Sequence, residues 1–312
     1  MRFAQYVNLA ISFIFIQEGI MMLKKIGLFS LVLLSASFAS AEDHALNATE
    51  LSRFPIEEAR QGVAVDASYI YAIDDKTIAK YPKKGGSKPL SVWHGKEGDN
   101  IKHFNSCYAQ DNVLYCSHSN YSSRPVLSSM EMFSTHDMSH VGNHSFGFMG
   151  FNYGSVTWVF PYRGYWWAGF ANYDEKGTEA GKDHNYTALV KFDNEGRVLE
   201  SWAFPSNVLA KMAPKSSSGG GWGPDGLLYV TGHDAKELYV LRLPETGSIL
   251  EYVATINVPF EGQAWAWDRS SPDRIIYGIT RNSKEVIVSK IPSIPTELLK
   301  PQALVKSVDA MK

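Results

Sequence analysis

Five short segments decide the fold: Gln61-Gly-Val-Ala-Val-Asp66, Asn105-Ser-Cys-Tyr-Ala-Gln110, Gly154-Ser-Val-Thr-Trp-Val159, Gly220-Gly-Trp-Gly-Pro-Asp225 and Gln263-Ala-Trp-Ala-Trp-Asp268. Their starts lie 44, 49, 66 and 43 residues apart. Each is followed, 9 to 14 residues on, by an aromatic in a second apolar run: Tyr71, Tyr115, Trp167, Tyr229 and Tyr277. A third run follows in every copy, at Thr77–Lys83, Ser128–Ser134, Thr187–Asp193, Glu237–Pro244 and Glu285–Pro292. A fourth follows in the first four copies, as in Leu199–Pro205 and Val253–Pro259. The runs alternate and are separated by turn residues, which is strand chemistry.

Four short strands per unit of roughly 40 to 50 residues is the rhythm of a β-propeller blade. The expected fold is therefore all-β: a single five-bladed β-propeller over residues 42–295, with six blades the alternative count and 296–312 a C-terminal tail. A β-sandwich would not predict five copies in phase. The long 66-residue spacing is explained by two polar insertions with loop chemistry, Glu175–Asn185 and Ser206–Ser218. The fifth copy lacks a fourth strand, but Leu51-Ser-Arg-Phe-Pro55 resembles Glu200-Ser-Trp-Ala-Phe-Pro205. The mature N-terminus is thus expected to supply the outer strand of the last blade and close the ring, which hides the sheet edges an open array would expose.

Residues 1–41 read differently. Met21-Met22-Leu23-Lys24-Lys25 is a basic start, Ile26 to Phe38 is apolar, and Ala39-Ser40-Ala41 is a small-residue cleavage site. This is the layout of a secretory signal. A second apolar run, Leu9 to Ile16, precedes it, so the start lies either at Met21 or Met22, or upstream with an uncleaved anchor. After Ala41 no run approaches the roughly 20 apolar residues of a spanning helix. The expectation is a periplasmic or secreted monomer with no membrane span in the mature chain.

Composition narrows the partners. With 30 Lys+Arg against 32 Asp+Glu, the chain has no basic footprint for nucleic acid. With 16 Tyr, 16 Phe and 8 Trp it carries far too many aromatics for a solvated coil. The two cysteines test the strand register. If Asp111-Asn112 is a two-residue hairpin turn, Gln110 faces Val113 and Cys107 faces Cys116 in a non-hydrogen-bonded pair. Such a pair has Cα atoms ~4.5 Å apart, within reach of a disulfide. Export makes that bond chemically reasonable, and two reduced core cysteines are the alternative.

In a propeller the innermost strand starts on the face where the second strand ends. The starts carry Gln61, His103, Asn105, Ser155, Glu261 and Gln263; the ends carry Asp74, Asp75, His118, Tyr121, Asn172, Asp174, His233, Asp234 and Arg281. The strands between are apolar, so polar chemistry concentrates at one mouth of the channel. Histidine beside carboxylate supplies either ligands for a divalent metal or acid–base pairs. His103, His233 and Asp234 are the catalytic candidates. Gln61, His118, Asn172, Asp174, Gln263 and Arg281 are the substrate-binding candidates. Trp222 is a further one, as a stacking platform for a sugar or aromatic ring, with interblade packing the alternative reading. Ser216-Ser-Ser-Gly-Gly-Gly-Trp222 has no following helix to supply a dipole, and no nucleotide cofactor is expected. No Gly-x-Ser-x-Gly elbow occurs, which argues against an α/β-hydrolase.

Phe260-Glu261-Gly262 and Phe104-Asn105-Ser106, with the blade rhythm, resemble the lactonase-type propellers of the gluconolactonase and senescence-marker group. The resemblance implies a single divalent cation (Ca, Mg, Mn or Zn), with Asn105 and Glu261 as its ligands, and metal-assisted hydrolysis or isomerisation of a lactone- or sugar-like molecule. It covers only those short segments, and the count here is five blades rather than six. Two functions then compete: an exported enzyme acting on a small polar molecule at the channel mouth, and a non-catalytic propeller that binds a ligand or a protein through its insertions.

Overall fold

The computed structural model describes residues 45–147, 153–176 and 178–300. The export segment expected over 1–41 and residues 301–312 of the expected tail lie outside the described residues. The described chain enters through β1 (Ala45–Asn47) and β2 (Thr49–Pro55) and then lays down four-stranded sheets in succession. The first holds β3 (Gly62–Val65), β4 (Tyr69–Asp74), β5 (Thr77–Pro82) and β6 (Ser91–His94). The second holds β7 (His103–Gln110), β8 (Val113–Ser119), β9 (Ser128–Ser134) and β10 (His140–Ser145). The third holds β11 (Ser155–Tyr162), β12 (Tyr165–Ala171), β13 (Ala188–Phe192) and β14 (Val198–Ala203). The fourth holds β15 (Gly219–Trp222), β16 (Leu228–Thr231), β17 (Glu237–Arg242) and β18 (Glu251–Asn257). The fifth has β19 (Ala266–Trp267), β20 (Ile275–Thr280) and β21 (Glu285–Lys290), and β2 completes it.

The protein is therefore a five-bladed β-propeller, and each strand expected from the repeats lies in its expected blade. The ring closes as the Phe-Pro likeness predicts, with Phe54 opposite Val286 and Arg53 opposite Ile287 in an antiparallel ladder. One addition is not foreshadowed by the repeats. β1 pairs parallel with β18, so the entering chain covers the edge of blade four before it becomes the edge of blade five.

Hydrogen bonds near the axis link neighbouring blades at every junction. Phe104 N donates to Asp75 O (2.9 Å), Asn105 Nδ2 to Val156 O (3.1 Å) and Trp158 Nε1 to Ser217 Oγ (3.1 Å). Thr231 Oγ1 donates to Gln263 O (2.6 Å), and Ala264 N to Gln61 O (3.2 Å), which returns to the first blade. The inner strands approach so closely that side chains are excluded at some positions. A Cβ on Gly220 would lie 2.4 Å from the Trp158 ring, and one on Gly62 would lie 2.6 Å from Ala264 Cβ, each in a neighbouring blade. The glycine-rich fourth start is thus a packing device.

The second-strand aromatics clip the inner strands. Tyr71 donates to Asp66 and Tyr229 to Asp225, both at 2.6 Å, so the terminal Asp of the repeat is a structural acceptor at the end away from the mouth. Asp111 and Asn112 take positive φ values of 51° and 62°, as the hairpin turn requires. Gln110 then faces Val113, and Cys107 faces Cys116 with Cα atoms 4.0 Å apart and a disulfide between them.

One expectation needs correcting. Ser206–Ser218 is not all loop: it contains a helix, α1 (Ser206–Met212), because Val208, Leu209 and Met212 fall on one side and bury in the aromatic core. The first residues of the expected tail pack on the propeller. A 3-10 turn at Thr296–Leu299 packs Leu298 against the same core, and Leu299 O accepts from Arg242 Nη1 at 2.6 Å. No helix among the described residues is long and apolar enough to cross a membrane.

Candidate functional site at the channel mouth

A cavity of about 230 Å³ opens where the inner strands begin, lined by Gln61, His103, Asn105, Tyr121, Tyr173, Lys215, Ser218, His233, Gln263 and Arg281. Apart from Lys215, these residues lie at or beside inner-strand starts or second-strand ends. The rule that locates the mouth from the repeats therefore holds.

Each lining side chain is fixed by a local reason. His103 opens β7, and its Nδ1 lies 2.8 Å from Asp75 Oδ1, at the turn that ends β4. The same oxygen accepts from Gln61 Nε2 at 2.6 Å. The hydrogen bond from His103 holds the Asp75 carboxyl below the usual carboxylate range against partial burial; Gln61 and the positive charge of Arg281 pull in the same direction. His233 follows β16, and its Nδ1 meets Asp234 Oδ1 at 2.5 Å. Its Nε2 lies 3.5 Å from Arg281 Nη1, and its backbone oxygen accepts from Gln263 Nε2 at 3.3 Å. The partners set the same tautomer in both rings: Nδ1–H donates to a carboxylate and Nε2 is the unprotonated atom, which in His233 faces the Arg281 guanidinium. Asp234 is 76% exposed, whereas Asp75 is 55% exposed and held by two side chains, His103 and Gln61. The His103–Asp75 couple is the better preorganised of the two.

Aromatic rings form one wall. Tyr121 packs 5.2 Å from His103 and 5.6 Å from Tyr173, edge to face in the second case. Lys215 reaches the mouth from the end of the second insertion. Its backbone N bonds to Met212 O, and Pro214 O accepts from Asp174 N, both at 3.1 Å. Buried Met212 therefore anchors the lysine from beneath.

The structure brings together six of the twelve expected mouth residues: Gln61, His103, Asn105, His233, Gln263 and Arg281. Asp234 joins them through His233 and Glu261 through the Arg281 backbone, whose N donates to Glu261 Oε2 at 3.0 Å. Four lie elsewhere. His118 is 7% exposed, accepts from Lys102 N at Nε2, shares a hydrogen bond with Ser129 Oγ and packs against Phe104. Burial pushes its pKa down to about 4, so the ring is a neutral core residue. Asn172 is fully buried and spends its amide on Tyr153 O and Tyr186 O, fixing the chain before the first insertion. Asp174 accepts from the side chain and backbone of His184. Trp222 stands at the far end of β15 from the mouth, stacked on Tyr162 at 4.7 Å and edge-on to Trp167. It lines a different cavity with Tyr162, Trp267 and Arg274, so interblade packing is its role.

Tyr121, Tyr173, Lys215 and Ser218 complete the lining, Asp75 stands behind His103, and none of the five is among the candidate site residues of the sequence. All but Lys215 carry a readable signal, because they flank strand ends at the same face. Lys215 is placed by helix α1, which leaves no strand-rhythm trace.

The cation implied by the lactonase resemblance meets a poor donor set. Among the described residues no three His, Cys, Asp or Glu side chains converge on a point. Glu261 Oε2 accepts from the Arg281 backbone, and the cavity presents the cations Lys215 and Arg281.

No protein-family model and no curated protein matches the chain. Among solved structures it is similar to the glutaminyl cyclase of Myxococcus xanthus, with a TM-score of 0.52 and 10% identity, over 81% of this chain and 100% of that one. A luciferin-regenerating enzyme gives a TM-score of 0.45 at 10% identity over 78% and 95% of the two chains. The WD40 propeller domain of Doa1 gives 0.41 at 12% identity over 74% and 79%. At 10% identity the likeness to the cyclase bears on the fold alone and leaves the chemistry to the residues of this chain.

Proposed function

We propose that the protein binds a small polar molecule in the channel mouth and transforms it by proton transfer, with His103 and His233 as the acid–base groups. One observation carries this reading: two imidazoles line one cavity, each with Nδ1 on a carboxylate, at 2.8 and 2.5 Å, and Nε2 as the unprotonated atom. A carboxylate on Nδ1 orients the ring and stabilises the imidazolium that forms when Nε2 takes a proton. One ring then removes a proton from the bound molecule and the other returns one at a second position. That serves either an isomerisation or the opening or closing of a ring. Gln61, Gln263, Asn105 and Ser218 supply neutral hydrogen-bonding groups that fix the molecule's orientation, and Tyr121 and Tyr173 give it an apolar wall.

The test is a thermal-shift screen of small polar metabolites, followed by turnover of each stabilising compound by wild type, His103→Gln and His233→Gln. The reading expects turnover that falls about 10²-fold or more in each variant while the fold is retained. A compound that binds at the mouth and is released unchanged supports the competing non-catalytic propeller.

A further inference from the structure

The charged side chains in the lining of the cavity, Lys215 and Arg281, are both cationic. Among the described residues neither cation makes an ion pair: the one side-chain contact of Arg281 is His233 Nε2 at 3.5 Å. The carboxylates of the rim are each taken by another group. Asp75 holds His103 and Gln61, Asp74 faces Arg60 at 3.6 Å, Asp174 holds His184, Asp234 holds His233, and Glu261 accepts from a backbone N. Both cations are part-buried, and the rim carboxylates have oxygens already engaged by those other groups, so the donors of Lys215 and Arg281 face the cavity. The positions are built. Lys215 is carried by the anchored end of α1, and Arg281 is tied through its backbone to Glu261.

We infer that the molecule bound at the mouth carries a compact oxyanion group, carboxylate or phosphate, held between Lys215 and Arg281 with its remaining polar atoms toward Gln61 and Gln263. Guanidinium and ammonium together match an oxyanion in charge and donor count, and a neutral sugar or lactone would leave both unanswered. This deepens the proposed function and rests on the same mouth being the binding site. It stands apart from the catalytic step, since anion capture needs neither histidine as a base.

The experiment is isothermal titration of the whole mature protein with three probes at millimolar concentration: glutarate, its neutral diamide glutaramide, and inorganic phosphate. Each is repeated on Lys215→Gln, Arg281→Gln and a control, Lys290→Gln, whose lysine pairs with Asp273 on the outside of blade five. Wild type and the control should bind at least one of the two anions and not glutaramide. Lys215→Gln and Arg281→Gln should each weaken that binding about 10- to 100-fold. Preference for glutarate or for phosphate identifies which oxyanion the site takes. The inference is overturned if neither anion binds, if glutaramide binds as well, or if both mouth variants bind like the control. Anion binding lost in both variants, with no substrate found that either histidine turns over, would keep the inference and defeat the proposed catalysis instead.

Discussion

His103 Nδ1 lies 2.8 Å from Asp75 Oδ1, and Gln61 donates to the same carboxylate oxygen at 2.6 Å. The three residues come from β7, the turn after β4 and the start of β3, so the junction between the first two blades is itself the brace of a base. The proposed function then requires the couple to act as a unit. Asp75→Asn should lower turnover about 10²-fold or more, because a neutral amide neither holds the ring in one tautomer nor stabilises its charge. The double variant Asp75→Asn/His103→Gln should be no slower than the worse single variant. Effects that multiply would show two independent residues.

His118 gives a pH dependence whose sign is set by burial. Its folded pKa is pushed down to about 4, against about 6.5 for an unfolded chain. As pH falls the unfolded chain takes the proton first. The stability contributed by the neutral ring is whole above about pH 6.5 and is lost as pH falls towards 4, by about 3 kcal/mol in all. Urea unfolding across that interval should show the decline, and His118→Gln should flatten it. An equal slope in the variant would contradict the assignment of His118 to the core.

The disulfide joins the first two strands of blade two across a short hairpin. Closing so small a loop stabilises by about 2–3 kcal/mol. Cys107→Ala/Cys116→Ala should lower the urea midpoint accordingly, and a reductant should do the same to wild type. A midpoint indifferent to reductant would show that the bond is not formed in the protein.

Gly220 tests the close approach of inner strands. A methyl group there would sit 2.4 Å from the buried Trp158 ring, whose Nε1 bonds Ser217 between blades three and four. Gly220→Ala should cost about 1–3 kcal/mol through overpacking, measured by thermal unfolding. A neutral result would mean that Trp158 moves aside freely.

The ring was legible because its strands repeat. In-phase aromatics such as Tyr71 and Tyr229 mark second strands, and the Phe-Pro likeness placed β2 in the last blade. The Cys107–Cys116 register followed from one turn. The mouth was legible to the extent that strand ends define it, which is why Gln61, His103, His233 and Arg281 were found. Direction within a strand was harder to read. Trp222 is only two residues beyond Gly220, yet it already belongs to the wall beneath the mouth, and His118 shares β8 with the rim but is buried in its blade. Lys215 depends on the burial of a seven-residue helix, Ser206–Met212, inside a stretch whose composition reads as loop. Tertiary packing, not local preference, makes that helix.

The central claim is proton transfer at the mouth. Its most direct test is the rate at which wild type, His103→Gln and His233→Gln consume a compound that raises the melting temperature of all three. The account predicts consumption by wild type and a loss of about 10²-fold or more in each variant, with the melting temperatures of the unliganded proteins close together. A compound bound at the mouth yet consumed equally fast by all three proteins would contradict it.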